Sequence, residues 1–437
     1  MPSTSADDPP LDPAGLDVRP FRALTYREHD PDQLARVSSP AYDLVTAAGR
    51  DRLAAADPHN IVRLILPHVE RTPGDPAPGE GSARTAAATL ARWLSEGVLA
   101  RDPAPALWRY DMARPGVPAT SGWLAAVGLP RPGSTAVLPH EDTYAPAVEG
   151  RRALLDATAT DLEPIVLAHD PDPVVRAETE RAGTGVPALE VADPDGVVHR
   201  LWRVTDPATL TRVTAAFAGT GAVIADGHHR FAAAREHQVR GGHDDEAVLA
   251  LLTPMGPGGL RLQAIHRVLP DLRLDDATAA AARGFTVTEL PLDGGLRPAV
   301  GRWVDGAERP AFLLTDGTRV VQLTAPAPEL WATVPAEAPP AWRRLDVVLA
   351  HHGLFGSLLG RPDDPASVLV AHDVDEALRL AAERAGVAVL LRSPSPADVA
   401  AVARAGARMP RKSTLFVPKP RTGLVLRPHD EQPGHGG

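Results

Sequence analysis

Cysteine is absent from the 437-residue chain, and aromatic residues make up only 4% of it. Without thiols the chain has no disulfide, no thiolate zinc site, no iron–sulfur cluster and no cysteine nucleophile. This composition is typical of a reducing compartment, and we expect a cytoplasmic protein. No stretch approaches the roughly 18 consecutive apolar residues of a membrane span. The start of the chain is acidic and proline-rich, unlike a signal peptide, so we expect no membrane partner.

Positive charge is also limited. The chain carries 45 basic and 55 acidic side chains, which gives a formal net charge of -10. Affinity for nucleic acid comes largely from lysine and arginine that neutralise phosphates, so this balance argues against a nucleic-acid partner. Only two of the basic residues are lysines, Lys412 and Lys419. The length is typical of two or three domains whose cores need no disulfide or metal. The sequence predicts no particular oligomeric state.

Composition and apolar patterns divide the chain into four segments. Residues 1–18, rich in proline, aspartate and serine, predict a disordered tail, and residues 428–437 predict another. Between them we expect a mixed α/β core over 19–290 and an α/β portion over 291–427. A hairpin pattern at Pro310 to Thr324, with an Asp-Gly turn, opens the second portion. The predicted class is therefore α+β, with a mixed sheet in the N-terminal core.

The segment from Ala222 to Arg235 is the most informative for function. Ala222 to Ala225 predicts a strand, an Asp-Gly-His-His turn follows, and Arg230 opens an alanine-rich helix. Amides at a helix N-terminus favour an anion, and arginine binds phosphate through a planar fork. The same pattern also fits an ordinary helix capped by Asp226 with histidines facing solvent. The predicted phosphate- and nucleotide-binding residues here are Asp226, Gly227, His228, His229 and Arg230.

The adjacent histidines also suggest metal ligation, because neutral imidazole is a common ligand. Adjacent histidines on a turn diverge, however, and neither an i, i+4 pair nor an HExxH pattern accompanies them. We therefore predict no metal-ligating residue. A metal-assisted hydrolase that uses the histidines stays as an alternative function.

Two earlier segments offer groups for acid–base catalysis. His140 and Glu141, within LPHEDTY, place an imidazole beside a carboxylate. Asp43 follows a Ser-Ser-Pro turn and is expected on a loop, where functional carboxylates are often carried. We predict His140, Glu141 and Asp43 as catalytic candidates.

The two lysines lie in one C-terminal motif. Lys412 precedes Ser413 and Thr414 before a predicted strand, but no GxxxxGK pattern makes this a Walker A loop. Where almost every basic residue is arginine, a lysine indicates a position that needs a compact ammonium. We predict that Lys412 folds back on the phosphate turn as a catalytic residue, with Ser413 and Thr414 as phosphate-binding residues. Lys419 lies between two prolines on a predicted extended segment and is a weaker candidate for the catalytic ammonium than Lys412.

These motifs together resemble the DUF1015 family, a bacterial and archaeal family named for its unknown function. The matching segments span Arg19 to about Leu426 and follow the family's order: RPFRAL, SSPAYD, NIVRLILP, LPHEDT, ADGHHR, IHRVLP and MPRKSTLFVPKPRTGL. The family's usual glutamine in MPQKST is Arg411 here. The IADGHHR element is also similar to the phosphate-binding turn of the ParB/sulfiredoxin-like superfamily, which includes free-serine kinases. That resemblance implies a strand-turn-helix site for a nucleotide phosphate.

The second resemblance implies a phosphotransferase that uses ATP or ADP and Mg²⁺ to phosphorylate a small hydroxyl compound, with a free amino acid such as serine as the first candidate. Phosphoryl transfer mainly requires positioning and charge neutralisation, so a helix N-terminus, Arg230, a lysine and one carboxylate are sufficient. The base is Asp43 or Glu141. The non-enzymatic alternative is a nucleotide-sensing or DNA-associated module, which the acidic charge and the lack of a basic recognition helix oppose.

Overall fold

A computed structural model describes residues 15–67, 80–131, 133–241, 246–304, 306 and 310–429. Most of both predicted tails, residues 1–14 and 430–437, lies outside the described residues. The chain forms two compact units: Met1–Leu260 with Pro418–Gly437, and Arg261–Val417. The second unit is therefore inserted into the first. In the part of the chain that is described, no helix has both the length and the apolar character to cross a membrane.

The first unit contains a nine-stranded mixed sheet in its described part. The strands of this unit are β1 (Val18–Arg19), β2 (Leu24–Tyr26), β3 (Leu99–Arg101), β4 (Leu107–Arg114), β5 (Val117–Gly128), β6 (Val137–Leu138), β7 (Thr160–Asp161), β8 (Ile165–His169), β9 (Leu189–Ala192), β10 (Val198–Val204), β11 (Ala222–Asp226), β12 (Ala247–Pro254) and, after the insertion, β21 (Arg427–Pro428). The helices are α1 (Pro31–Val37), α2 (Ala47–Ala56), α3 (Val62–Ile65), α4 (Glu80–Ser95), α5 (Ala145–Thr158), α6 (Pro173–Ala182), α7 (Pro207–Phe217) and α8 (His228–Gly241), with a 3₁₀ turn at Tyr42–Leu44.

The strand order in the large sheet is β6-β11-β8-β12-β5-β4-β10-β9, and β1 pairs with β5. Strand β11 runs parallel to β6 and antiparallel to β8. Ala222 to Ala225 are buried, as a continuous apolar run in a central strand predicts. Phe231 and Ala234 of α8 join the same core. The predicted strand, turn and helix are therefore present, and the C-terminal end of β11 leads directly into α8.

The predicted ends of this unit differ slightly from the observed ones. Leu16, within the predicted N-terminal tail, is 1% exposed, and its amide donates to the Phe217 carbonyl at 3.0 Å. At the other end, the amide of His429 donates to the Ala159 carbonyl at 2.8 Å. Both ends are held by backbone bonds to distant segments, which local composition does not reveal.

The second unit contains a six-stranded sheet and a two-stranded one. Its strands are β13 (Arg261–Gln263), β14 (His266–Leu269), β15 (Thr286–Leu290), β16 (Phe312–Thr315), β17 (Val320–Thr324), β18 (Leu369–Ala371), β19 (Val387–Leu390) and β20 (Leu415–Val417). Its helices are α9 (Leu274–Ala281), α10 (Leu296–Val304), α11 (Pro328–Trp331), α12 (Pro340–Arg343), α13 (Asp346–Leu349), a π-helical segment Ala350–Leu358, α14 (Val374–Glu383) and α15 (Pro396–Arg404).

The larger sheet of this unit has the order β15-β17-β16-β19-β14-β18. The predicted hairpin is confirmed as β16 and β17, and at its turn Gly317 has a φ of +93°. Helices and strands alternate after it, as predicted, but each described pairing in this sheet is antiparallel. Strand β14 lies between β18 and β19, so the helical crossover α14 joins strands that are not neighbours. The term α/β denotes adjacent parallel strands joined by helices, so the expected α/β portion is in fact an α+β unit.

The structure also places β14 and β15 in the second unit, although the sequence suggested a boundary near residue 290. Strand β14 forms its hydrogen bonds with β18 and β19, more than 100 residues later in the chain. No change in composition marks that long-range pairing. The mixed α+β class with a large mixed sheet is confirmed.

Candidate functional site

Lys419 and two carboxylates form an ion-pair cluster at the C-terminal end of β11. The Lys419 Nζ lies 2.7 Å from Oδ1 of Asp226 and also bonds the carboxylate of Asp43. Lys419 is 11% exposed and Asp226 15%, whereas Asp43 is 40% exposed. The lysine is therefore shielded from water while Asp43 keeps access to solvent.

Arg230 holds the second oxygen of Asp226. Its Nη2 donates to Asp226 Oδ2 at 2.6 Å, and its Nη1 donates to the carbonyl of Pro164. Its Nε is buried and has no hydrogen-bond acceptor among the residues that the structure describes. Arg230 therefore fixes the strand-helix turn and keeps one donor that these contacts do not use.

Gly227 makes the turn between β11 and α8. Its φ is +92°, and a β-carbon there would lie 2.8 Å from Cγ2 of Ile165. Glycine alone tolerates both the positive φ and the close contact. The amide of Phe231 donates to the Gly227 carbonyl at 2.9 Å and so begins the helical bonds. The amides of residues 228–230 thus form the first turn, where the helix dipole favours an anion.

The segment that carries His140 and Glu141 packs against this first turn. The amide of His140 donates to Nε2 of His228 at 3.3 Å, and the two rings meet edge to face with centroids 4.6 Å apart. The amide of Tyr144 donates to Nε2 of His229 at 3.1 Å. Both ring nitrogens thus serve as acceptors for backbone amides of this segment. His228 is 7% exposed, which contradicts the interpretation of a capped helix with solvent-facing histidines.

Glu163 is a buried carboxylate that the sequence analysis did not select. Its Oε1 accepts hydrogen bonds from the amide of Tyr42 at 3.1 Å and from the hydroxyl of Thr422 at 2.9 Å. Glu163 thereby connects the segment that carries Asp43 to the segment that carries Lys419. The available signal was a charged residue at the start of an apolar strand, because a buried charge requires partners.

Opposite charges keep the cluster ionised. Burial raises the pKa of Asp226, but the charges of Arg230 and Lys419 outweigh it and hold this pKa below its ordinary value. Burial lowers the pKa of Lys419, but the charges of Asp226 and Asp43 raise it above its ordinary range. Asp226 is therefore a carboxylate and Lys419 an ammonium at neutral pH. An ammonium has three donors, and the two carboxylates take two of them.

The Lys412-Ser413-Thr414 triplet lies in the second unit, not in the unit that contains the cluster. Lys412 has an exposed side chain and a φ of +52°. The Ser413 hydroxyl donates to the Pro410 carbonyl at 2.6 Å, and Arg267 Nη2 donates to the Lys412 carbonyl at 3.0 Å. These bonds fix the backbone of the motif within its own unit. The roles of Lys412, Ser413 and Thr414 at a phosphate stay predictions.

The remaining predicted residues come together in the first unit. Asp43 contacts Lys419, and Lys419 contacts Asp226, which begins the strand-turn-helix element. His140 reaches the same element through His228. Within the described ranges, no group of three or more histidine, aspartate or glutamate side chains is placed to hold a metal ion.

The fold and the cluster define a mixed α+β protein with a charged strand-turn-helix element. Residues 18–348 match the family described as "Protein of unknown function (DUF1015)". This match spans more than half of the chain, so the chain belongs to the DUF1015 family. The predicted family resemblance is confirmed.

No curated protein matches the chain. Among solved structures, a conserved hypothetical protein from Pyrococcus furiosus is similar over 69% of this chain and 93% of its own, at 14% identity and a TM-score of 0.31. Free serine kinase in complex with AMP is similar over 67% of this chain and 87% of its own, at 13% identity and a TM-score of 0.31. SbnI with a C-terminal truncation, from Staphylococcus aureus, is similar over 70% and 87%, at 12% identity and a TM-score of 0.36. Similarities this low carry no argument about chemistry, which rests here on the site itself.

Proposed function

We propose that the first unit is a nucleotide-dependent phosphotransferase that phosphorylates a small hydroxyl compound, with a free amino acid such as serine as the first candidate. The observation that carries the proposal is the position of Lys419, between Asp43 and Asp226 and beside the first turn of α8. This arrangement combines a shielded ammonium, an accessible carboxylate and a helix N-terminus. Phosphoryl transfer needs these three kinds of group.

The nucleotide phosphates would bind at the first turn of α8. This helix has 14 residues, so its dipole is well developed at that end. The third donor of Lys419 and the buried Nε of Arg230 add two charged N–H groups. A phosphate oxygen would satisfy the Arg230 donor, which has no acceptor among the described residues.

Asp43 is the base that the contacts favour, with Glu141 as the alternative. Asp43 would take the proton of the substrate hydroxyl as that oxygen bonds to the terminal phosphorus. The bond between this phosphorus and the leaving oxygen of the nucleotide then breaks. Lys419, which already touches Asp43, would neutralise the negative charge that develops on the transferred group.

The carboxylates also suit Mg²⁺, which neutralises phosphate charge when it enters with a nucleotide. Mg²⁺ at nucleotide sites commonly takes only one or two protein carboxylates, together with phosphates and water. Asp226 and Asp43 offer such oxygens next to the first turn of α8. Asp226 would hold the ion through a remaining lone pair, because its oxygens also accept from Lys419 and Arg230 and Asp43 is the proposed base.

The test is a turnover assay with the full chain. ATP and ADP are each incubated with a panel of hydroxy compounds that includes serine, threonine and homoserine, with Mg²⁺ or with a chelator. Phosphorus NMR identifies the phosphorylated product, and the appearance of ADP or AMP identifies the donor. Phosphate-ester hydrolysis without a nucleotide would favour the hydrolase, and nucleotide binding with no product would favour the sensing module.

The two lysines provide matched variants. Lys419→Met should lower the transfer rate about 100-fold or more, as expected when a charge-stabilising group is removed. Lys412→Met should leave the rate within a few fold. Melting temperatures of both variants show whether a loss reflects unfolding. A large loss in Lys412→Met alone would instead support the sequence-based assignment of Lys412.

A further inference from the structure

A cavity lies in the first unit, near the opposite end of β8 from the ion-pair cluster. Its volume is about 620 Å³, and His169, at the C-terminal end of β8, lines it. In the antiparallel pairing, Asp226 lies opposite Val166, whereas His169 lies opposite Ala222. Val166 and His169 are three residues apart, which corresponds to roughly 10 Å along a strand. The cavity is therefore distinct from the proposed phosphotransferase site and of a size that holds small molecules.

His169 has one ring nitrogen without a partner. The residue is 1% exposed, and its Nδ1 lies 2.8 Å from the carbonyl oxygen of Asp170. A carbonyl only accepts, so Nδ1 carries the proton and Nε2 is an acceptor. Nε2 is buried and has no hydrogen-bond partner in the described part of the chain. A buried acceptor without a donor is unfavourable, and a ligand N–H or O–H would satisfy it. Burial also lowers the pKa of His169, which keeps the ring neutral.

The other walls determine which ligand fits. Trp123, Leu252, Pro254 and Met255 give the cavity a largely apolar surface. Such a surface suits the faces of a flat ring and would leave most hydroxyls of a free sugar unsatisfied.

The charged side chains at the cavity do not form a site for an anion. Asp172 caps α6 by accepting from the amides of Val174 and Val175. Arg109 pairs with Asp111 at 2.7 Å. Arg176 and Glu180 are one helical turn apart and of opposite sign. The lining carries two arginines and two acids, so it gives no net attraction to a phosphate.

We propose that this cavity binds an uncharged nitrogen heteroaromatic compound of the nucleobase class, with a ligand N–H donating to Nε2 of His169. The ring faces would contact the apolar walls, and the donor edge would meet the histidine. This inference does not depend on phosphoryl transfer. It assigns a second ligand site to the first unit.

The test is a titration of the full chain with adenine, hypoxanthine, cytosine and uracil, followed by ligand-observed NMR and calorimetry. Ribose represents a hydroxyl-rich ligand and phenylalanine a zwitterionic one, and both serve as comparison ligands. We expect saturable binding of at least one base and a shift of the His169 Nε2 nitrogen signal. His169→Leu, which keeps a similar volume, should weaken that binding roughly fivefold to tenfold.

Two controls separate this site from other effects. His199→Leu also replaces a buried histidine, but His199 bonds Tyr110 and Asp193 and does not line the cavity, so ligand affinity should be retained. Asp43→Asn should likewise retain it, because Asp43 belongs to the other site. Three results would overturn the proposal: no binding of any of the four bases at millimolar concentration, no shift of the His169 nitrogen signal, or loss of binding in Asp43→Asn. If His169→Leu does not fold, the proposal is tested by the His169 Nε2 signal of the parent protein during the titration.

Discussion

Asp226 is the residue on which the charge balance of the cluster depends. One of its carboxylate oxygens accepts a hydrogen bond from Arg230, and the other forms an ion pair with Lys419. Removal of its charge would leave two largely buried cations close together, and such an uncompensated arrangement is strongly destabilising. Asp226 is thus both a proposed ligand of the nucleotide-bound ion and a structural centre of the site.

The pH dependence of stability should report this pairing. The folded-state pKa of Asp226 lies below the value near 3.9 of an unfolded aspartate. Its contribution to the free energy of unfolding is therefore complete above about pH 4 and is lost as pH falls through the folded-state pKa. In urea unfolding between about pH 2 and pH 6, Asp226→Asn should show a shallower acid dependence than the parent. Asp51→Asn, an exposed control, should retain the parent slope, and equal slopes in all three proteins would contradict the assignment.

The choice of base can be decided by a pair of isosteric changes. Asp43→Asn should reduce kcat by about 10²- to 10⁴-fold, because a positioned general base contributes that much. Glu141→Gln should leave kcat within a few fold, since Lys419, the proposed catalytic ammonium, pairs with Asp43, whereas Glu141 lies 3.9 Å from the His140 ring. Steady-state kinetics of both variants, with circular dichroism as a folding check, make the comparison. The reverse order of effects would assign the base to Glu141.

Among the secondary-structure elements, β11 and α8 carry the site, and the sequence predicted both. The apolar Ala222 to Ala225 run, the Asp-Gly pair and the alanine-rich stretch are local signals, and local signals suffice for a strand-turn-helix element. The neighbours of that element were not predictable in the same way. Glu163 and Lys419 reach it only through tertiary pairing. The sequence ranked Lys419 behind Lys412 because Lys419 lies between two prolines on a predicted extended segment.

Gly227→Ala tests how strongly the turn fixes this element. The added methyl group would require a positive φ at alanine and would collide with Ile165. A positive φ alone costs about 1–2 kcal/mol, and overpacking adds about 1–3 kcal/mol. Gly116→Ala is the matched control, because Gly116 has a φ of +75° but no atom within 4 Å of the added carbon. Chemical unfolding should show a clearly larger loss for Gly227→Ala, and equal losses would mean that the contact with Ile165 relaxes.

For the whole molecule, the main feature is the return of the chain to the first unit at Pro418. Arg421 is 6% exposed and donates through Nε to Ser38 Oγ at 2.6 Å, and its backbone amide donates to the Tyr110 hydroxyl at 2.9 Å. Thr422 and Ser39 pair through their backbones. The sequence predicted one boundary and two successive portions. Composition carries no signal for a C-terminal segment that rejoins the first unit after an insertion of more than 150 residues.

Truncation tests the contribution of this returning segment. A chain that ends at Val417 lacks Lys419, Arg421, Thr422 and β21, so we expect transfer to fall about 100-fold or more. The first unit should also melt at a lower temperature, because Ser38 and Glu163 lose their buried partners. A chain that ends at His429 is the control and should keep both properties. Equal activity of the two truncated chains would exclude Lys419 from the chemistry.

The interrupted first unit also sets an order of events during synthesis. Lys419 follows its partner Asp43 by 376 positions, and all of the second unit is translated between them. Contacts of such sequence separation form late, because a long loop must close first. A ribosome-bound chain therefore exposes Asp43 and Asp226 without their lysine until the second unit has been translated. The proposed catalytic ammonium is thus made only after the second unit, so under the proposed function a chain that still lacks Lys419 would not yet consume nucleotide.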